Sequence, residues 1–416
     1  MRILKLQIFL FVSMMLSAIG AFGQEWTRFR GPNGTGLSEL ERFPAEWDQD
    51  NFKWVVELPG KGHSSPVLWG DKVFLVSGDP ESATRFVLCI DVRNGKILWQ
   101  ENFPSIPHKL HERNTYASST PVVDSELVYI AWADPSRVSL MALDHDGRKI
   151  WDRDLGTWTS MHGFGTSPIR FNDLVILSNS QQGEGLDPNQ QPGASRVMAF
   201  EAKTGKLRWE TPRESAYACY STPAIYYPKS GEPQLINAST SEGVFSLDPI
   251  TGKELWRIGD AFTMRVVSSP VVMGDIVFGS TGSGGGGNYV SAFRMSETPK
   301  LLYSIRRSAP YVPSVVAENG LAFLFGDKGI VSCIQIDTGE TLWQERISDG
   351  FSGSPIIAAG KVFCMSEDGT VWVLNAGREF QLLAKNELGK HTRSTPAVAK
   401  GKMYLRTESH LFAVGE

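Results

Sequence analysis

The sequence predicts an all-β fold: an eight-bladed β-propeller of four-stranded antiparallel blades, closed into a ring by an N-terminal strand. Three observations carry this. A proline phrase recurs eight times along the chain. Between its copies a hairpin recurs that runs from a small residue through glycine to an aromatic one. One strand is missing near the C-terminal side, and an unassigned strand lies near the N-terminal side.

Taken in chain order, Arg2 and Lys5 precede an apolar run from Leu6 to Leu16 and small residues ending Ala21-Phe22-Gly23. This order reads as a signal peptide over 1–23, cleaved before Gln24, because the run is shorter than the roughly 20 residues that span a bilayer. No cysteine follows the small residues, so no lipid-attachment box is read. The mature chain is expected in a periplasm or outside the cell, with no transmembrane segment. Residues 24–51 form a leader expected to pack on the propeller, and 52–416 form the propeller itself.

The phrase is a hydroxyl residue or glycine, then Ser or Thr, then Pro, then aliphatic residues. It appears at Ser64-Ser65-Pro66, Ser119-Thr120-Pro121, Thr166-Ser167-Pro168, Ser221-Thr222-Pro223, Ser268-Ser269-Pro270, Gly353-Ser354-Pro355 and Ser394-Thr395-Pro396. Tyr311-Val312-Pro313-Ser314 is a degenerate eighth copy. Each phrase leads into a turn and a second apolar run, as in Gly70 to Val76 and Gly360 to Met365. A third run then enters the glycine hairpin, as in Cys89 to Trp99, Ala142 to Trp151, Ala199 to Trp209, Ser246 to Trp256 and Cys333 to Trp343, with Tyr303 as the aromatic of the fifth copy. Runs of β-branched and aromatic residues between glycine turns make antiparallel meanders. One meander cannot bury both its faces, so stacking neighbours around a ring is the stable solution, with the aromatics between blades. Residues 411–416 read as a third strand with no fourth, and residues 52–58 supply it, removing two open sheet edges.

Composition sets the remaining bounds. The 416 residues are 41% hydrophobic and 21% charged, enough for a large core. With a net charge of −4 and no Lys/Arg tract, nucleic acid is not an expected partner. The four cysteines, Cys89, Cys219, Cys333 and Cys364, match no zinc spacing, and Cys89 and Cys333 occupy the small-residue position of the hairpin.

The repeat Ala/Cys-x-Asp-x-x-x-Gly-Lys-x-x-Trp resembles that of the pyrroloquinoline-quinone (PQQ)-like propellers, which include quinoprotein dehydrogenases and the outer-membrane assembly factor BamB. The leader Trp26-Thr27-Arg28-Phe29-Arg30-Gly31-Pro32-Asn33-Gly34-Thr35-Gly36 resembles the segment ahead of the propeller in secreted members. The resemblance implies eight blades. It also implies one of two activities: a monomeric binding or scaffold protein of the cell envelope with a protein or glycan partner, or a small PQQ-dependent oxidoreductase of alcohols or sugars using PQQ with Ca²⁺. The dehydrogenases carry an adjacent cysteine pair, an aspartate base and calcium ligands; this chain has no Cys-Cys pair, and the base and ligands are not matched residue by residue.

If the proline phrase begins the innermost strand, the residues before it form the channel rim. These are His63, Asn114, Tyr116, His162, Phe164, Tyr217, Tyr220, Arg265, Tyr311, Phe351, His391 and Arg393. Aromatic faces with His and Arg suit an acidic group, a sugar or a peptide; in the quinoprotein reading, Arg265, Arg393 or a histidine meets the carboxylates of PQQ. The insertion 101–118 leads into the rim as a lid, whereas 181–195 reads as an exposed loop. Gly282 to Gly287 lacks the Gly-Lys-Ser/Thr ending and following helix of a phosphate loop, and reads as an interstrand loop. No metal site is read from the histidines.

Overall fold

A computed structural model describes residues 24–415; the signal peptide read at 1–23 lies outside the described residues. The strands form eight separate four-stranded antiparallel sheets. Blades 1 to 7 are consecutive meanders over 67–103, 122–154, 169–212, 224–258, 271–305, 316–346 and 356–387. Blade 8 joins 397–415 to Phe52–Glu57, which pairs antiparallel with His410–Gly415. The ring is therefore closed by the N-terminal strand, and the missing edge is filled from the opposite end of the chain.

The reason for the proline phrase is visible at the axis. The backbone N–H of each Ser or Thr preceding proline donates to the hydroxyl of its counterpart in the next blade. The series runs from Ser65 through Thr120, Ser167, Thr222, Ser269, Ser314, Ser354 and Thr395 back to Ser65, at 2.9 to 3.4 Å. Eight blades thus share one closed crown of hydrogen bonds. The degenerate copy is a correction to the sequence reading: its aligned residue is Ser314, after Pro313, so Val315 takes the place proline holds elsewhere. The crown fixes the hydroxyl and leaves the proline free to move.

A second belt lies near the rim of the disc. Indole N–H groups of Trp54, Trp99, Trp151, Trp209 and Trp343 donate to carbonyls in the hairpin of the next blade, as does the Tyr303 hydroxyl. Each ring lies over that hairpin; a Cβ on Gly95 would meet the Trp54 ring at 2.7 Å. The small-residue position is explained by pairing, since Cys89, Ala142, Ala199, Ser246, Ala292 and Cys333 each stand directly opposite the aromatic. Where the opposite residue is Ala384, the small residue becomes Val373. All four cysteines are buried and free.

Two departures from the belt have local causes. Blade 5 turns through Ser296 to Lys300 without glycine, and Trp256 of blade 4 bonds Gln234 of its own blade instead. Blade 8 has no hairpin between its third and fourth strands, and blade 7 correspondingly carries Ala384. Leader residues fill that place: Asn386 accepts from Trp47 N–H at 2.8 Å and donates to the Ala45 carbonyl, while Phe43 and Trp47 pack on Phe363.

Candidate binding site in the central funnel

The leader crosses the channel on the strand side of the crown. Trp26 and Thr27 carbonyls accept from Leu68 of blade 1 and Val123 of blade 2. Arg28 donates to the Pro223 carbonyl of blade 4, and Asn33 exchanges two hydrogen bonds with Ile225. Arg30 reaches the carbonyls of Val315 in blade 6 and Pro355 in blade 7. Gly36 and Leu40 then bond the inner strand of blade 7. Both guanidiniums are buried, and burial lowers each to about 9, so both remain charged at neutral pH. Phe29, between them, faces the other way and floors a funnel that opens at the loop side.

The funnel encloses about 760 Å³ and is lined by Phe29, by seven of the eight crown hydroxyl residues and by loops from many blades. This size suits a small ligand or a short chain end. Of the rim residues expected from sequence, His63, Asn114, His162, Tyr220, Arg265, Tyr311 and Arg393 line it together. Three do not. Tyr116 turns away to donate to the His108 carbonyl at 2.7 Å and lies under Arg85. The Tyr217 ring lies against the Arg265 guanidinium, 5.2 Å from its centroid, and so supports a lining residue from behind. His391 sits 3.7 Å from Glu408 outside the cavity. Phe164 and Phe351 are core residues against Trp158 and Phe325.

Sequence reasoning missed a comparable set. His111, Glu112 and Arg113 of the 101–118 insertion reach the funnel, and Arg113 pairs with Glu367 of blade 7 at 3.3 Å. That insertion is anchored by Asn114, which donates to the His162 carbonyl at 2.6 Å. The glycine loop contributes Ser283, Gly284, Gly286, Gly287 and Asn288, so it forms wall as well as connection. Arg306, Asp327 and Lys328 also line the cavity. Only the position of 101–118 ahead of a proline phrase signalled any of these.

The electrostatics are one-sided. Arg113, Arg265, Arg306, Lys328 and Arg393 face the funnel against the carboxylates of Glu112 and Asp327, with Glu367 just behind the lining. Asp327 accepts from the backbone N–H groups of Tyr311 and Val312 at 2.6 and 3.1 Å, and burial raises its pKa. Glu367 takes hydrogen bonds from Arg393 and Ser352. His63 is 8% exposed, and both its ring nitrogens lack a protein partner. Burial, with Arg393 and Arg406 close by, pushes its pKa well below the ordinary histidine value. Burial and Arg265 lower His162 to about 4, and burial raises the Tyr220 phenol to about 12. At neutral pH both histidines are uncharged and Tyr220 is a hydroxyl donor.

These donors fit the carboxylates of a group such as PQQ. They do not fit its calcium ion: Asp327 and Glu367 are spent as described, and no set of three or more His, Cys, Asp or Glu among the described residues is placed to hold a metal.

Fold and site together define an eight-bladed propeller with a closed-ended, donor-rich funnel. The chain belongs to the PQQ-like propeller family described as outer membrane protein assembly factor BamB, matching it over residues 45–157, 87–310 and 307–414. It is 27% identical over 202 residues to tetrathionate hydrolase of Acidithiobacillus ferrooxidans, covering 46% of this chain and 36% of that protein. It is 26% identical over 236 residues to outer membrane protein assembly factor BamB of Yersinia pestis, covering 50% and 56% respectively. The chain thus spans about a third to just over half the length of these curated relatives. A europium-containing methanol dehydrogenase shares the fold, with a TM-score of 0.69, 12% identity, and coverage of 94% of this chain and 98% of that one.

Proposed function

We propose that this chain is a binding propeller of the cell envelope that holds an acidic segment of a protein partner in its funnel. The observation that carries this reading is the excess of cations over carboxylates in a preformed cavity: Arg113, Arg265, Arg306, Lys328 and Arg393 line it against Glu112 and Asp327, and Asp327 is held by backbone N–H groups. Family membership supports the envelope setting and a protein partner. A neutral glycan would desolvate several guanidiniums without supplying counter-charge, which is costly. Oxidation of an alcohol or sugar is the second reading, favoured by the fit of the funnel donors to PQQ carboxylates and set back by the engaged state of Asp327 and Glu367.

The test is photocrosslinking in envelope fractions from an unnatural side chain placed at Tyr311, inside the funnel, or at Leu301, exposed on the outer strand of blade 5. A protein captured from position 311 and lost on Arg265→Gln supports the proposal. Capture from 301 alone overturns it. A rise in Tm with PQQ and Ca²⁺, accompanied by dye reduction with an alcohol, would move the second reading ahead.

A further inference from the structure

The deep end of the funnel carries more chemistry than a general acidic preference. Each crown hydroxyl accepts one backbone N–H and donates no hydrogen bond among the described residues. A hydroxyl has one hydrogen to give, so the crown holds a circle of unspent donors, seven of whose members line the cavity. Beside it, His63 has two unpartnered nitrogens, and the Nε atoms of Arg265 and Arg393 are also unpartnered and buried. Donors that the protein leaves unpartnered are met by water when the funnel is empty, and a ligand that reaches them must replace those bonds.

Access is from one side only. Phe29 closes the floor, held by a leader bonded to blades 1, 2, 4, 6 and 7. A polymer cannot thread through this channel, so the crown is reached by a chain end or by a side chain that projects into the funnel. A carboxylate is acceptor-only, with two oxygens and about four lone-pair directions, and it is the group a chain end can present to a ring of donors.

Resting on the reading of the funnel as a binding site, we propose that the crown is a receptor for a terminal carboxylate, presented by the free C-terminus of a partner or by a small polycarboxylate. It needs no metal ion, because hydroxyls, His63 and guanidiniums supply the donors directly.

The test uses the full chain with an acetylated, fluorescent Ala-Glu-Glu peptide ending in a free carboxylate, the same peptide as its C-terminal amide, and citrate as competitor. Anisotropy should show the free acid binding at least about tenfold more tightly than the amide, unchanged by EDTA. The preference should shrink in Thr222→Val, which removes one crown hydroxyl, and in His63→Phe; circular dichroism identifies any variant that fails to fold, and Arg265→Gln then serves in its place. Citrate binding that depends on the same residues, without discrimination between the peptides, assigns the site to a small polycarboxylate. Equal binding of acid and amide with no citrate binding, or no binding of any probe at millimolar concentration, overturns the proposal. Funnel crosslinking to a partner would survive that result, so the two failures are separable.

Discussion

Gly95→Ala and Gly70→Ala form a pair that separates backbone strain from belt packing. Both glycines sit at positive φ, 72° and 57°, so alanine costs about 1 kcal/mol at either for conformation alone. Around Gly70 nothing lies within 4 Å of the added carbon; at Gly95 it would come 2.7 Å from the Trp54 ring. That ring is held by its N–H bond to the Val92 carbonyl at 2.8 Å and by Tyr404, with centroids 5.9 Å apart. Overpacking against it adds about 2 kcal/mol, so Gly95→Ala should cost about 3 kcal/mol and Gly70→Ala about 1. Trp54→Ala removes the obstruction at its own cost of about 3–5 kcal/mol. In that background Gly95→Ala should fall back to about 1 kcal/mol, a coupling of about 2. Urea unfolding followed by far-UV circular dichroism measures all four proteins. Equal midpoint shifts for the two glycines, or a Gly95→Ala cost indifferent to Trp54, would refute the argument that the aromatic belt dictates the turn glycine.

Two further outcomes are expected. Deleting 52–57 opens blade 8 and removes Trp54, a loss of at least about 5 kcal/mol that should lower Tm by at least about 6 °C; a variant melting with the parent would contradict ring closure. His63 and His162 have folded pKa values below the ordinary histidine value of 6.5, so the unfolded chain takes up protons first and stability falls as pH drops below 6.5. His63→Gln/His162→Gln should flatten the Tm profile between pH 6.5 and about 4 relative to the parent, and parallel profiles would exclude the histidines as its cause.

The fold was legible because its restraints repeat. Ser or Thr before proline marks the crown, and small residue, glycine and Trp mark the belt, each imposed by a contact with the next blade. Pro313 misled by one residue because proline is the more conspicuous part of the phrase, while the hydroxyl makes the bond. The funnel was half legible. Position before an inner strand places His63 or Arg265 on the rim, yet whether a side chain turns inward depends on loops of other blades. Tyr116 is drawn off by its own loop, and Arg113 is drawn in by Glu367, far away in sequence. No local pattern encodes such pairings.

The leader and the last blade set a timetable. Residues 26–57 provide both the floor and the final strand, but Trp47 waits for Asn386, and Phe52–Glu57 waits for His410–Gly415. During synthesis these partners appear last, so the earliest-made residues are among the last to find their places. Until then the growing chain is an open arc, with an exposed sheet edge at each end. A chain cut short before His410 lacks the strand that receives Phe52–Glu57, so it can complete seven blades and still leave the ring open.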